Sequence, residues 1–139
     1  MIDPDGFNEL RQCRSGPLLY NKHDIYIGGS LRKYGEFSAH ETQLFAQLVT
    51  AGMHVVEVGA NIGTHTIDLA RLVTGTGRVH AFEPQRLVFQ TLCANVAINQ
   101  LTNVFTYPLA VSDQPGITRW PTLAPPAGNH FRGCELGGY

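Results

Sequence analysis

Val55-Val56-Glu57-Val58-Gly59-Ala60-Asn61-Ile62-Gly63 is the stretch that decides the fold. Val55 to Val58 read as a short buried strand, mostly apolar as strands of parallel sheets are. Gly59 permits a tight turn off that strand and a close backbone approach to a ligand. Gly63 lets the helix that follows pack close to the sheet, and that helix presents unpaired N–H groups at its start. Ile67, Ala70 and the Leu72-Val73 pair face inward on this helix, and Gly75 and Gly77 end it. Arg78-Val79-His80-Ala81-Phe82 is a second strand, closed by Glu83-Pro84. A second helix carries Val88, Leu92 and Val96 at i, i+4 and i+8, and Val104-Phe105-Thr106-Tyr107 is a third strand. This order is a βαβαβ unit, so the fold class is α/β. Right-handed crossovers set the first two strands side by side and parallel, with ligand room at their carboxyl ends.

Outward from this unit the chain has three parts. Residues 1–37 are polar and glycine-containing, with Asp24-Ile25-Tyr26-Ile27 as a strand or hairpin segment. Residues 38–111 alternate helical and strand patterns. They begin with Ser38-Ala39-His40-Glu41, which has the form of a capping box, followed by Leu44, Phe45, Leu48 and Val49 on one helical face and Gly52 as a stop. Residues 112–139 are rich in Gly and Pro and read as turns or irregular structure. The domain reading is a lead-in over residues 1–37 and a ligand-binding unit over residues 38–139.

The chain's 139 residues suit one domain, and 43% hydrophobic against 15% charged residues suits a globular core. A formal net charge of −1, with Arg32-Lys33 the only adjacent basic pair, gives no field to gather nucleic acid or an anionic membrane. No apolar run approaches the ~18–20 residues of a membrane span, and no signal-peptide pattern opens the chain. A soluble, cytoplasmic protein is expected. Cys13, Cys93 and Cys134 are odd in number and lack a C-x-x-C spacing, which speaks against a disulfide framework or a zinc site. His54 and His80 sit within strand-like runs as half-buried histidines with a satisfied ring nitrogen, so no metal is expected.

Glu83 stands at the end of the second strand, 24 residues after Gly59. An acidic side chain there can accept hydrogen bonds from both hydroxyls of an adenosine ribose. It can equally cap the helix after Pro84. Two ligands fit the frame. The dinucleotide fingerprint is G-x-G-x-x-G, but here Asn61 occupies the middle glycine position and Glu57 would set a negative charge near a pyrophosphate. A ligand with an ammonium group and no phosphates tolerates that carboxylate, and S-adenosyl-L-methionine is such a ligand. The charge pattern favours it over NAD.

The same residues resemble a known family. The stretch from Val55 to Gly63, together with Ala81-Phe82-Glu83-Pro84, is similar to the FkbM-type class I methyltransferases. The resemblance continues in Ala94-Asn95-Val96-Ala97-Ile98-Asn99, which matches the family's N-V-x-x-N helix end. Upstream, Asp24-Ile25-Tyr26-Ile27-Gly28 and Tyr34-Gly35-Glu36-Phe37-Ser38 look like its lead-in. Ala110-Val111-Ser112-Asp113 and Gly133-Cys134-Glu135-Leu136-Gly137 follow in the family's order. The resemblance implies a Rossmann-like fold and methyl transfer from S-adenosyl-L-methionine, usually to a hydroxyl oxygen. It implies that Gly59, Asn61 and Gly63 line the methionine and adenosine, that Glu83 holds the ribose, and that Glu57 sits near the methionine amino group. Tyr34 and Glu36 would cover the methionine end.

The family's fold has seven strands, and the central unit here supplies three. Its D-x-E-G-x-E motif does not occur. The expectation is the amino-terminal half of such an enzyme, truncated after the first three core strands, with little activity alone and with self-association through the unpaired sheet edge. A cofactor-binding half-domain without catalysis, acting with a second chain, is the alternative. No catalytic residue and no acceptor can be read from the chain.

Overall fold

The computed structural model describes residues 5–117. Cys134 and the segment 133–137 singled out above lie outside the described residues. The chain opens with an antiparallel hairpin, β1 (Asn8–Cys13) and β2 (Gly16–Asn21), followed by α1 (Ile27–Tyr34) and α2 (Ala39–Leu48). The central unit follows as expected: β3 (His54–Val58), α3 (Thr64–Val73), β4 (Arg78–Phe82), α4 (Arg86–Ile98) and β5 (Val104–Tyr107). Its sheet has the order β3-β4-β5, parallel throughout, with Val55 opposite Val79 and Val79 opposite Val104. The α/β reading holds.

Both crossover helices cover one face of the sheet. Leu69, Ala70 and Val73 of α3 pack on Val79, and Leu92 of α4 packs on Ala81. A second core lies on the far side of these helices. There Leu18 and Tyr20 of β2 and Ile27 and Leu31 of α1 meet Ile62, Ile67 and Val88. The hairpin is thus a further layer, and β2 buries Gly16, Leu18 and Tyr20 at the strand period of two. Among the described residues no helix is long and apolar enough to cross a membrane.

Five sequence expectations are corrected. Asp24-Ile25-Tyr26-Ile27 is no strand: it is the entry to α1, where the buried Asp24 carboxylate accepts the Tyr26 and Gly28 N–H groups. Ser38 and Glu41 form no capping box. Ser38 has a left-handed backbone (φ 53°) and makes no side-chain cap, while the Glu41 carboxylate turns to His65 Nε2 at 2.9 Å. On α2, Phe45 and Val49 pack on the core, but Leu44 and Leu48 are exposed. The strand at 55–58 is not buried on both faces either. Val56 and Val58 are 66% and 61% exposed, because no described element covers their side of the sheet and β3 has no described neighbour beyond it. His54 is exposed on that face as well. His80 is half-buried there with Nδ1 satisfied by the Tyr107 hydroxyl at 2.9 Å, as anticipated.

Gly77 joins α3 to β4 where the chain has no room for a side chain. A Cβ there would strike the Met53 carbonyl oxygen and lie 2.6 Å from Val73 Cβ. Backbone and a β-carbon cannot yield as a long side chain does. Gly77→Ala should therefore lower stability by about 1–3 kcal/mol. Denaturant unfolding monitored by circular dichroism checks this, with Gly75→Ala, which meets nothing within 4 Å, as the control.

Candidate functional site

The carboxyl ends of β3 and β4 meet at the turn spanning residues 59–63. Each amide of that turn has a partner. Gly59 and Ala60 N–H both donate to the Phe82 carbonyl at 2.9 and 3.0 Å, and Gly63 N–H donates to the Ala60 carbonyl at 2.9 Å. Asn61 N–H donates to Glu83 Oε2 at 3.0 Å, and Ile62 N–H donates to Asn61 Oδ1 at 2.8 Å. The turn is closed on itself and on the end of β4.

Its three named positions do different work. Gly59 takes φ 77°, and a Cβ there would point into open space, so the strand end has a vacant approach above it. Asn61 takes φ 52°, a left-handed conformation that asparagine tolerates better than other side-chain-bearing residues. This explains how an asparagine can stand where the dinucleotide fingerprint has its middle glycine. Gly63 (φ 89°) is buried, and a Cβ there would come within 2.7 Å of Leu92 Cδ1. Its smallness therefore serves the approach of α3 to α4 rather than to the sheet.

Glu83 is 5% exposed. Besides the Asn61 amide on Oε2, its Oε1 accepts the Gln85 N–H at 2.9 Å at the start of α4. The carboxylate thus ties the turn to the residue that precedes α4. A carboxylate has about four acceptor positions, so two remain for a ligand's donors. Burial raises its pKa, and the Gln85 and Asn61 amides pull the other way.

Glu57 points to the helix side of the sheet, where the buried Thr66 hydroxyl donates to Oε2 at 2.6 Å. Burial pushes its pKa to about 7, with the Thr66 bond opposing. Thr66 was not singled out from the sequence, since nothing in a spacing of nine residues across a turn marks the pair. Asn95 was quoted only as part of a resemblance, and it is wholly buried against this same turn, with Nδ2 donating to the Ile62 carbonyl at 2.8 Å.

The structure groups Glu57, Gly59, Asn61, Gly63 and Glu83 around one turn. Glu36 lies nearby, lining a small cavity with Thr64 at the start of α3, its carboxylate paired with Arg14. Tyr34 stands apart, 65% exposed on the last turn of α1 with the Lys33 ammonium over its ring.

Residues 57–133 match the methyltransferase FkbM domain. The chain belongs to that family. The chain also shares its fold with solved structures. M. jannaschii TYW2, solved in complex with AdoMet, is 21% identical with a TM-score of 0.58, over 79% of this chain and 46% of that one. Trm5b from Pyrococcus abyssi is 18% identical with a TM-score of 0.57, over 73% of this chain and 28% of that one. An S-adenosylmethionine-dependent O-methyltransferase from Thermotoga maritima is 21% identical with a TM-score of 0.50, over 75% and 41%. The chain spans less than half the length of each, and at these identities the likeness speaks for the fold alone. Comparison with curated proteins gives no match.

Two predictions follow from the buried carboxylates. Glu57 titrates at about 7 when folded, against 4.5 as its ordinary value, so between these limits the folded state holds a proton that the unfolded state has lost. Its burial then lowers stability as pH rises through that window, by up to about 3 kcal/mol. Glu57→Gln keeps an acceptor for Thr66 and removes the titration. Wild type should lose thermal stability relative to Glu57→Gln from pH 5 to pH 8. Glu83→Gln sets an amide NH2 against one of two buried backbone donors, and should cost about 1–3 kcal/mol even without ligand. Thermal melts of both variants across pH test these statements.

Proposed function

We propose that the FkbM domain binds S-adenosyl-L-methionine at the carboxyl ends of β3 and β4, as part of an enzyme that methylates a hydroxyl oxygen of a small molecule or saccharide. The observation that carries the ligand is the closure of the turn. In a dinucleotide site the turn's free N–H groups and the helix dipole receive the pyrophosphate. Here the amides from Gly59 to Gly63 are all bonded within the protein. The half-buried Glu57 lies at the end of the strand that leads into them, bonded to Thr66 at the start of α3. An anion finds no donors in this turn, whereas a ligand with an ammonium group and no phosphate gains from Glu57.

S-adenosyl-L-methionine supplies an electrophilic methyl on a sulfonium, already activated for transfer. What these residues contribute is binding and orientation. The open approach above Gly59 admits the ligand's methionine portion against the strand end, and Asn61 borders it. Gly63 keeps α3 and α4 close enough to hold that border in place. The spare acceptor positions of Glu83 suit two ribose hydroxyls. Glu57 in its ionised form suits the amino group, so uptake of the cation draws Glu57 below its ligand-free pKa and releases a proton near neutral pH. Glu36, beside the start of α3, would cover the methionine end. Tyr34 would join it only after a movement of the α1 terminus. Transfer needs the acceptor oxygen in line with the methyl, and positioning supplies most of the rate.

A second reading is a non-catalytic cofactor-binding unit that works with another chain or a second copy. The side of the sheet that no described residue covers favours it, with Val56 and Val58 of β3 and Phe105 of β5 exposed. Light scattering over a concentration series tests association, and Val56→Glu should weaken it.

Calorimetric titration with S-adenosylhomocysteine, its 2′-deoxy analogue and NADH tests the ligand. Wild type should bind the first, bind the second about tenfold or more weakly, and bind NADH least. Equal affinity for the first two would remove Glu83 from ribose recognition. Preference for NADH would overturn the reading. Proton release on binding, measured in two buffers of different ionisation enthalpy at pH 6.5, should disappear in Glu57→Gln.

A further inference from the structure

The two asparagines of the α4 end, Asn95 and Asn99, are one device. Asn95 Oδ1 accepts the Leu19 N–H at 2.7 Å, and its Nδ2 donates to the Leu19 carbonyl at 2.9 Å. The side-chain amide pairs with β2 as a neighbouring strand would. One turn later, Asn99 Nδ2 donates to the Pro17 carbonyl at 2.7 Å. The spacing follows from geometry. Four residues of helix rise about 6.0 Å, and two residues of strand rise about 6.6 Å, so i and i+4 on α4 meet alternate residues of β2. Pro17 offers no N–H, and Asn99 Oδ1 is free to accept Arg71, which also holds the Ser15 carbonyl. Both asparagines therefore fasten the hairpin, but they differ in one respect. Asn95 alone donates also to the Ile62 carbonyl, inside the turn at the cofactor end of the sheet.

We infer that Asn95 is a positioning residue for the 59–63 turn, linking the placement of the amino-terminal hairpin to the affinity of the cofactor site. The inference rests on the reading above that this turn receives S-adenosyl-L-methionine. Ile62 is held from three directions: its N–H by Asn61 Oδ1, its carbonyl by Asn95, and its side chain in the core shared with Leu18, Tyr20 and Val88. Releasing the carbonyl frees the residue between Asn61 and Gly63, and with it the border of the ligand approach. Asn99 carries the same kind of bond to the hairpin and none to the turn, which makes it the natural control.

The experiment compares wild type, Asn95→Ala, Asn95→Asp and Asn99→Ala, at a temperature well below the lowest melting point of the set. Asn95→Asp keeps the acceptor for Leu19 N–H and loses both donors. Three quantities are read: melting temperature, S-adenosylhomocysteine affinity, and hydrogen exchange of the turn amides without ligand. Both Asn95 variants should bind about tenfold or more weakly and should exchange faster at Ile62 and Gly63. Asn99→Ala should lower the melting temperature while holding affinity within twofold and leaving turn exchange unchanged. Unchanged exchange at the turn in both Asn95 variants, or affinity that follows melting temperature alike in all variants, overturns the inference. If wild type binds no S-adenosylhomocysteine, the ligand reading fails instead, and the exchange data alone decide whether Asn95 holds the turn.

Discussion

A single buried carboxylate sets the geometry at the carboxyl end of the sheet. Glu83 leaves β4 at the point where β3 is turning into α3, and it accepts one amide from that turn and one from the start of α4. Buried backbone N–H groups need partners, and these two lie on separate segments that no ladder hydrogen bond joins. One side chain satisfying both fixes the distance between the two helix entries. The Phe82 carbonyl one residue earlier receives the Gly59 and Ala60 amides, so consecutive residues of β4 hold the whole first half of the turn. The remaining constraints are secondary to this one. The left-handed backbone at Asn61 lets its amide face Glu83, and the missing side chain at Gly63 lets Leu92 approach from α4.

An internally bonded turn is chemically selective. The same βαβ frame can present its first-turn amides to a phosphate or spend them within the protein, and the backbone path looks similar in both cases. Here they are spent within the protein, and the neighbouring charges agree with that choice. Glu57 is half-buried and Glu83 is buried, and burial raises the pKa of each. Such a site has acceptors to offer and few donors, which fits hydroxyl and ammonium groups. The turn is ordered by its own hydrogen bonds, so a ligand bound there would cost little conformational freedom.

Much of this was legible in the sequence because the central unit obeys simple periods. Three short β-rich runs, two helices with apolar residues at helical spacing, and glycines at the strand-to-helix turn read directly as βαβαβ. The hairpin escaped for a physical reason. Its two-residue loop, Arg14-Ser15, lacks the Asn-Gly type of signal that marks tight hairpins, and β1 is polar along most of its length. A signal did exist in Leu18 and Tyr20, two large residues at a spacing of two, but the apolar Leu19 between them hid the alternation. The capping box failed because a left-handed Ser38 leaves its hydroxyl out of use, and His65, which is distant in sequence, competes for Glu41. Val56 and Val58 look buried by composition, and their exposure depends on which elements cover the sheet, a property no local pattern carries. Thr66 and Asn95 share the opposite difficulty: each is a polar residue on an inward helix face, recognisable as odd but without a visible partner in sequence.

Local opening will not be uniform across this molecule, and α2 is where it should begin. None of its ten residues is fully buried, and its tertiary attachment includes Phe45 on the core and against the His65 ring, Glu41 to His65, and Thr42 to Asp68 at 3.2 Å, with Val49 on the core just beyond its end. Surface ion pairs and single hydroxyl bonds contribute little each, so the segment's opening free energy lies far below that of the strands. In an exchange experiment the amides of α2 would label long before those of β4. Among the described helices and strands, a protease given the native protein would cut first in α2. Anchoring is therefore divided by layer: the turn at the sheet end has every amide bonded, while the helix that leans on α3 has no fully buried residue.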